Sequence, residues 1–322
     1  MNSRLIQGDD FAHILLDDEE GAIKAAMAAN RPLLVRGEPG VGKTQLAKAA
    51  AVFLKRPLVS MTVDANTEPR EIMWTFDAVQ RLAEAQVAAV TSKNQAELRP
   101  LIDVKQFVKP GPLWWAYSWD TAKAQLREHE EPPASPKGWT SKKGVVILID
   151  EIDKAESEVP NGLLEALGSR QFMPRGWRNA VTLAADVAAP LIIITTNEER
   201  MLPDAFVRRC FVLHLELPPL SVHEPKTPEE QRADQSFSSF VQARGKAHFP
   251  TADDGLLAEA ATMLLADRRH AMQHRLLPLP GQAEYLDFVR AVLSMSIKSA
   301  ERKKVLEQVR TYAFRKSRRP QR

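Results

Sequence analysis

Pro32-Leu-Leu-Val-Arg36, then Gly37-Glu-Pro-Gly-Val-Gly-Lys-Thr44, then a helical pattern from Lys43 to Leu54: this stretch decides the fold. A short apolar run that ends at glycine and passes into helical spacing reads as strand, loop and helix. The middle piece has the full spacing of a phosphate-binding loop. Its glycines let the backbone wrap closely around phosphate, so that N–H groups and the following helix N-terminus face negative charge. Lys43 would reach the β- and γ-phosphates, and the Thr44 hydroxyl would hold Mg²⁺. Gly37, Glu38, Pro39, Gly40, Val41, Gly42, Lys43 and Thr44 are the candidate nucleotide-binding residues, with ATP and Mg²⁺ as the expected ligands.

Outward from this loop, Pro57-Leu-Val-Ser-Met-Thr62 reads as a second strand. Glu71 to Val90 has helical spacing, with Ile72, Phe76, Val79, Leu82 and Val87 available for one face. Lys109-Pro-Gly-Pro112 breaks the chain before Leu113-Trp114-Trp115, and a helix follows to about Glu128. Glu131 to Gly144 is a surface loop by composition. Val145-Val-Ile-Leu-Ile149 is a continuous apolar run, as expected of a parallel strand covered on both faces. Val159 to Leu167 is helical, and Gln171 to Leu183 contains the turn Pro174-Arg-Gly176 of a hairpin. Leu191-Ile-Ile-Ile-Thr-Thr196 and Phe211-Val-Leu-His-Leu-Glu-Leu217 supply two more strands. Beyond Pro219 a polar linker reaches about Glu230, and the remainder is helical. The expected organisation is an α/β nucleotide domain over residues 1–220 and a helical domain over 221–322 with a basic end.

Asp150 and Glu151 close the Val145–Ile149 run. In a protein with a phosphate-binding loop, an aspartate here organises Mg²⁺. A neighbouring glutamate orients and deprotonates the attacking water. The plain alternative is a solvated acidic strand end. Asn197 follows the next strand, where strand ends converge at the ligand edge, and its amide suits a γ-phosphate or lytic water. Otherwise it caps a loop. Arg208 and Arg209 follow Pro203 on a short helical stretch. At a subunit boundary one of them could enter the neighbouring site and stabilise transition-state charge. Alone, two arginines are more often surface ion-pair residues.

The composition excludes several classes. Apolar and charged fractions of 44% and 26% are those of an ordinary globular chain. The lone Cys210 cannot form a disulfide within the chain, which favours a reducing, cytoplasmic setting. It reads as a small core residue rather than a nucleophile. No signal peptide and no transmembrane run are visible, so no membrane association is expected. Net charge is +3, but from Lys298 to Arg322 ten Lys/Arg face only Glu301 and Glu307. That end carries about +8, and the rest of the chain about −5. It is either a solvated helix face or a patch for a polyanion. His270 and His274 have a zinc-like spacing but no third ligand nearby in sequence, so packing is the better reading. Among Trp114, Trp115, Trp119 and Trp139, the first pair suits a core, and an exposed Trp119 or Trp139 could grip a polypeptide.

The phosphate loop, Ile149-Asp-Glu-Ile-Asp153, Asn197 and Leu202-Pro-Asp-Ala-Phe-Val-Arg-Arg209 together resemble an AAA+ ATPase in content and order. The wording is similar to the MoxR-like branch, in Gly37–Thr44, in Gly111-Pro112-Leu113, and in Gly162-Leu-Leu-Glu-Ala-Leu167. The resemblance covers about Arg31 to Pro219. It implies a five-stranded parallel sheet in the order 5-1-4-3-2, helices on both faces, a small all-α lid, and a homo-oligomeric ring that is usually hexameric. It assigns Lys43 and Thr44 to the phosphate loop, Asp150 and Glu151 to the second nucleotide motif, Asn197 to the first sensor, and Arg209 or Arg208 to the finger. The chain departs from the branch in an insertion over about 114–143. It departs again in the lid, where Arg275 and Arg290 flank Pro280–Glu284 without occupying the place of a nucleotide-sensing arginine.

Three functions remain. The resemblance implies an ATP-hydrolysing, chaperone-like remodeller of proteins, often working with a separate von Willebrand factor A-type partner. The Gln171–Leu183 hairpin and the 131–143 loop are its candidate contact surfaces. The basic end leaves open a nucleic-acid motor or defence-complex subunit. A third reading is an ATP-binding switch with little turnover, against which Glu151 and the arginine pair both speak.

Overall fold

The computed structural model describes residues 3–8, 11–91, 102–295 and 302–316. Its centre is a five-stranded sheet of β1 (Leu33–Arg36), β2 (Leu58–Thr62), β3 (Val146–Asp150), β4 (Leu191–Thr196) and β5 (Phe211–His214) in the order β5-β1-β4-β3-β2. Thr196 registers with Arg36, Ile194 with Ile149, and Thr62 with Asp150, all in parallel pairing. Every residue of β4 is buried, and β3 is buried up to Asp150. This is why both read as unbroken apolar runs: a strand covered on two faces has no polar side to alternate with. The register also puts the C-terminal ends of β1, β4 and β3 on one edge. The Gly37–Thr44 loop leaves β1 from that edge.

By contact the chain forms two compact units. One joins residues 18–36 with 50–213, and the other joins 1–17, 37–49 and 214–322. The first holds most of the sheet over a core of aliphatic and aromatic side chains. Trp114 is fully buried there, edge-on to Trp177 at 5.0 Å and to Phe172 at 6.0 Å, and its indole N–H donates to Thr121 Oγ1 at 2.9 Å. The Gln171–Phe172 and Val181–Thr182 strands pair antiparallel, as the turn residues between them predict.

Two expectations need correction. Glu71 to Val90 is not one helix. A 3-10 turn (Pro69–Ile72) and a strand (Trp74–Phe76, paired with Val108–Pro110) precede the helix Ala78–Thr91. On that helix Val79, Leu82 and Val87 are exposed. Ile72 is fully buried and Phe76 packs partly buried against the core, because strand pairing overrides the helical spacing. Nor does Trp119 or Trp139 stand free for a polypeptide. Trp119 is buried between Trp115 at 4.8 Å and Trp139 at 4.7 Å, and Trp139 donates to the Gly144 carbonyl at 2.9 Å.

The second unit packs four helices, Pro228–His248, Asp254–Gln273, Gln282–Ser294 and Arg302–Ala313. Thr227 and Glu230 close a capping box on the first, and Asp253 accepts the Leu256 N–H at the start of the second. Phe237, Tyr285 and Phe288 fill the core between them. The sequence pattern gives no clear element before Arg31. The structure has a hairpin there (Ser3–Gln7 with Ala12–Leu16) and then the helix Asp17–Ala29. No helix among the described residues is long and apolar enough to cross a membrane.

Candidate functional site

The loop after β1 has the backbone that its glycines suggest. Gly40 and Gly42 sit at φ of 80° and 104°, which side-chain-bearing residues avoid. Such turns are what backbone nests for anions are built from. The helix Lys43–Leu54 begins at the lysine, and Leu46 N–H bonds to the Gly42 carbonyl at 2.9 Å. Lys43 is buried, and its Nζ donates to the carbonyls of Gly37 at 2.7 Å and Glu38 at 3.0 Å. A buried ammonium must be paired. Here it is held at the mouth of the loop by the loop's own carbonyls, so the donor set fits a phosphoryl group.

At the ends of β3 and β4 the structure brings together Asp150, Glu151 and Asn197. Thr195, fully buried, donates its hydroxyl to Asp150 Oδ1 at 2.5 Å and accepts the Glu151 N–H at 2.9 Å. Asp153, also buried, accepts through Oδ2 from the N–H of Asn197 at 3.2 Å and of Glu199 at 2.9 Å. The loop after β4 is thereby tied to the turn after β3. Glu151 itself is left-handed, at φ 61°, a costly conformation for a side-chain-bearing residue. Its carboxylate is gripped by Lys154 at 2.5 Å and lies 3.5 Å from the Asn197 amide nitrogen. The hydrogen bond to Glu151 holds the Lys154 ammonium above the usual lysine range. A carboxylate fixed beside an amide at a strand end can orient and deprotonate a water.

Thr195 and Asp153 are the positioning residues that the sequence reading passes over. Their signal was only the polar ending of an apolar strand and the second aspartate of Asp150-Glu-Ile-Asp153. Thr195→Val keeps the shape and strips both bonds, leaving the half-buried Glu151 N–H unpaired. It is expected to cost about 1–3 kcal/mol, read as a lowered denaturant midpoint at unchanged slope.

Arg208 and Arg209 follow the short helix Asp204–Val207 and are both exposed. Among the described residues, neither makes a hydrogen bond or ion pair with Asp150, Glu151 or Asn197. Beside them, Arg36, Glu198, Arg200, Met201 and Leu202 line a cleft of about 360 Å³ of mixed polar and apolar character. Cys210 is half-buried and donates to the Phe206 carbonyl at 3.4 Å, and burial pushes its thiol pKa up to about 11, which disfavours the thiolate at neutral pH. The His274 ring nitrogen lies 2.9 Å from the His270 carbonyl, and no cluster among the described residues offers three metal-ligating side chains.

The domain model of the AAA domain, dynein-related subfamily, matches residues 32–210, more than half of the sequence. The chain belongs to the AAA family. Its five-stranded parallel sheet and phosphate loop are the AAA+ fold, and AAA domains in general bind and hydrolyse nucleotide, typically with Mg²⁺. No curated protein is matched. Among solved structures, the chain is similar to Thermotoga maritima RuvB, described as a Holliday junction branch migration motor. That match has 15% identity and a TM-score of 0.43 over 90% of this chain and 67% of the other. A candidate ATPase from Cytophaga hutchinsonii matches at 15% identity with a TM-score of 0.36, over 90% and 78%. Likenesses this distant carry no argument about function.

Arg268 lies on the helix Asp254–Gln273, and its Nη2 pairs with the Glu38 carboxylate of the phosphate loop at 2.9 Å.

Proposed function

We propose that this AAA chain is an ATP-hydrolysing subunit of a homo-oligomeric ring, usually six-membered, of the MoxR-like type, and that it remodels protein partners. The observation that carries the catalytic part is the stitched strand end, in which Thr195 and Asp153 fix Asp150, Glu151 and Asn197 together. In the proposed reaction Lys43 binds the β- and γ-phosphates and Glu151 takes a proton from the attacking water at its carboxylate. Asn197 orients that water or the γ-phosphate. Thr44 and Asp150 would hold Mg²⁺, which when bound neutralises phosphate charge. The α/β part is taken to end near residue 220, and the helical lid to follow.

The ring reading is supported by the two arginines, which stay exposed on the segment Asp204–Arg209 instead of serving their own acidic turn. The test is the ATPase rate per subunit against protein concentration for wild type, Arg208→Ala and Arg209→Ala, with mass measured alongside. The rate should rise with concentration, and one variant should fall by about 10³-fold or more without losing the ring. A flat rate from a monomer, indifferent to both arginines, would sink the shared-site reading and favour the ATP-binding switch.

A protein client, with a separate von Willebrand factor A-type partner, is preferred to nucleic acid on one structural ground. The basic end is partly spent inside the chain. Arg310 and Arg315 pair with the buried Asp267 at 2.6 and 3.1 Å, and Lys316 with Glu284 at 3.4 Å. Lys298 and residues 317–322 lie outside the described residues.

A further inference from the structure

The helix Gln282–Ser294 starts against the phosphate loop, and its first turn brings no cation. A Cβ on Gly40 would come within 2.8 Å of Ala283 Cβ, and one on Gly42 within 3.6 Å of Gln282 Nε2. At that spacing a side chain at position 40 would force the loop or the helix aside. Gln282 is buried and its Oε1 has no hydrogen-bond partner. The first turn carries Gln282, Ala283 and Glu284, and Glu284 is turned back on its own helix to accept the Gly281 N–H at 3.0 Å. The positive charge next to the loop comes instead from the preceding helix.

Arg268 is that charge. Its side chain is 9% exposed. Nη1 donates to the Pro280 carbonyl at 3.0 Å, at the entry to the helix Gln282–Ser294, and Nη2 reaches both Glu38 carboxylate oxygens at 3.2 and 2.9 Å. The guanidinium lies 6.0 Å from the Phe237 ring centre. One side chain therefore ties three segments: the helix Asp254–Gln273, the turn before Gln282, and the second residue of the phosphate loop. A nearly buried guanidinium is tolerated only when paired, so moving either the helices or the loop disturbs the same contact.

We propose that Arg268 is the positioning residue through which the C-terminal helices and the phosphate loop sense one another, acting through Glu38 from the helix Asp254–Gln273. The inference rests on the loop binding ATP. Loss of the pair lets the loop relax away from the shape that holds phosphate, so nucleotide affinity falls while the chemistry at Glu151 is left intact. The signature is a raised KM with a kcat that changes little.

The experiment is titration of the full chain with a fluorescent N-methylanthraniloyl ATP, with KM, kcat and thermal midpoint measured on the same preparations. The variants are Glu38→Gln, Arg268→Ala, Glu38→Arg, and the exchange Glu38→Arg with Arg268→Glu, with Lys43→Ala as reference. Glu38→Gln and Arg268→Ala should each raise Kd and KM about tenfold, and the exchange should return both to within about threefold of wild type. A purely structural contact would lower the thermal midpoint and leave KM alone, and that result overturns the proposal. If Arg268→Ala does not fold, Glu38→Gln decides, since Glu38 is half exposed and its amide leaves the core untouched. Wild-type affinity in that variant, with binding abolished in Lys43→Ala, refutes the role of Arg268 alone. Binding unaffected by Lys43→Ala as well would refute the nucleotide site beneath it.

Discussion

Lys43→Ala is expected to lose nucleotide binding. The ammonium is buried at the start of the helix after the loop and already satisfies two loop carbonyls, so it is desolvated and aimed before any phosphate arrives. Removing one partner of such a charge contact costs about 2–5 kcal/mol, or ~30- to 5,000-fold in Kd. Arginine would not serve as a conservative replacement, because its planar fork cannot occupy the space of a compact ammonium. The measurement is equilibrium titration with a labelled ATP analogue, alongside a thermal midpoint to show that the variant is folded. A folded variant whose affinity stays within threefold of wild type would remove the loop from the site.

The second large effect concerns turnover and not binding. Glu151→Gln replaces a carboxylate with an amide of the same shape, so the main-chain bond from Glu151 N–H to Thr195 is kept. What is lost is the base. A positioned general base contributes about 10²–10⁴ in rate, and hydrolysis should fall by that factor with ATP affinity unchanged. Because the group acts only in the transition state, kcat and kcat/KM should fall together. Single-turnover hydrolysis and nucleotide titration on one preparation separate the two quantities. Persistent hydrolysis would take Glu151 out of its role, and a parallel loss of affinity would make it a ground-state contact.

These predictions differ in what they require of the molecule. The loop works through its own backbone and one lysine, all within eight consecutive residues. The base works only if residues some forty-five positions apart in the chain are held together. Thr195 spans Asp150 and Glu151, and Asp153 holds the backbone of Asn197 and Glu199. A fixed carboxylate is a better base than a mobile one, since orientation is supplied before the reaction begins. The left-handed backbone at Glu151 belongs to the same arrangement, being a strain that the surrounding bonds must hold.

The sequence by itself determined the elements whose signal is local. Apolar runs without alternation at Leu33–Arg36, Val146–Asp150 and Leu191–Thr196 announced buried parallel strands, because burial on both faces erases any period. Glycine spacing before Lys43 announced the phosphate loop, because only that residue takes the backbone angles found at Gly40 and Gly42. Tertiary structure alone decided what depends on partners distant in the chain. Helical spacing at Ile72 to Val87 did not reveal that Trp74–Phe76 would pair with Val108–Pro110 and leave Val79, Leu82 and Val87 in solvent. Nothing local to Asp254–Gln273 marked Arg268 among its neighbours, for its role is given by Glu38, 230 positions away. Short-range pattern records which face of an element is covered. It does not record which side chain will meet a charge brought in by the fold.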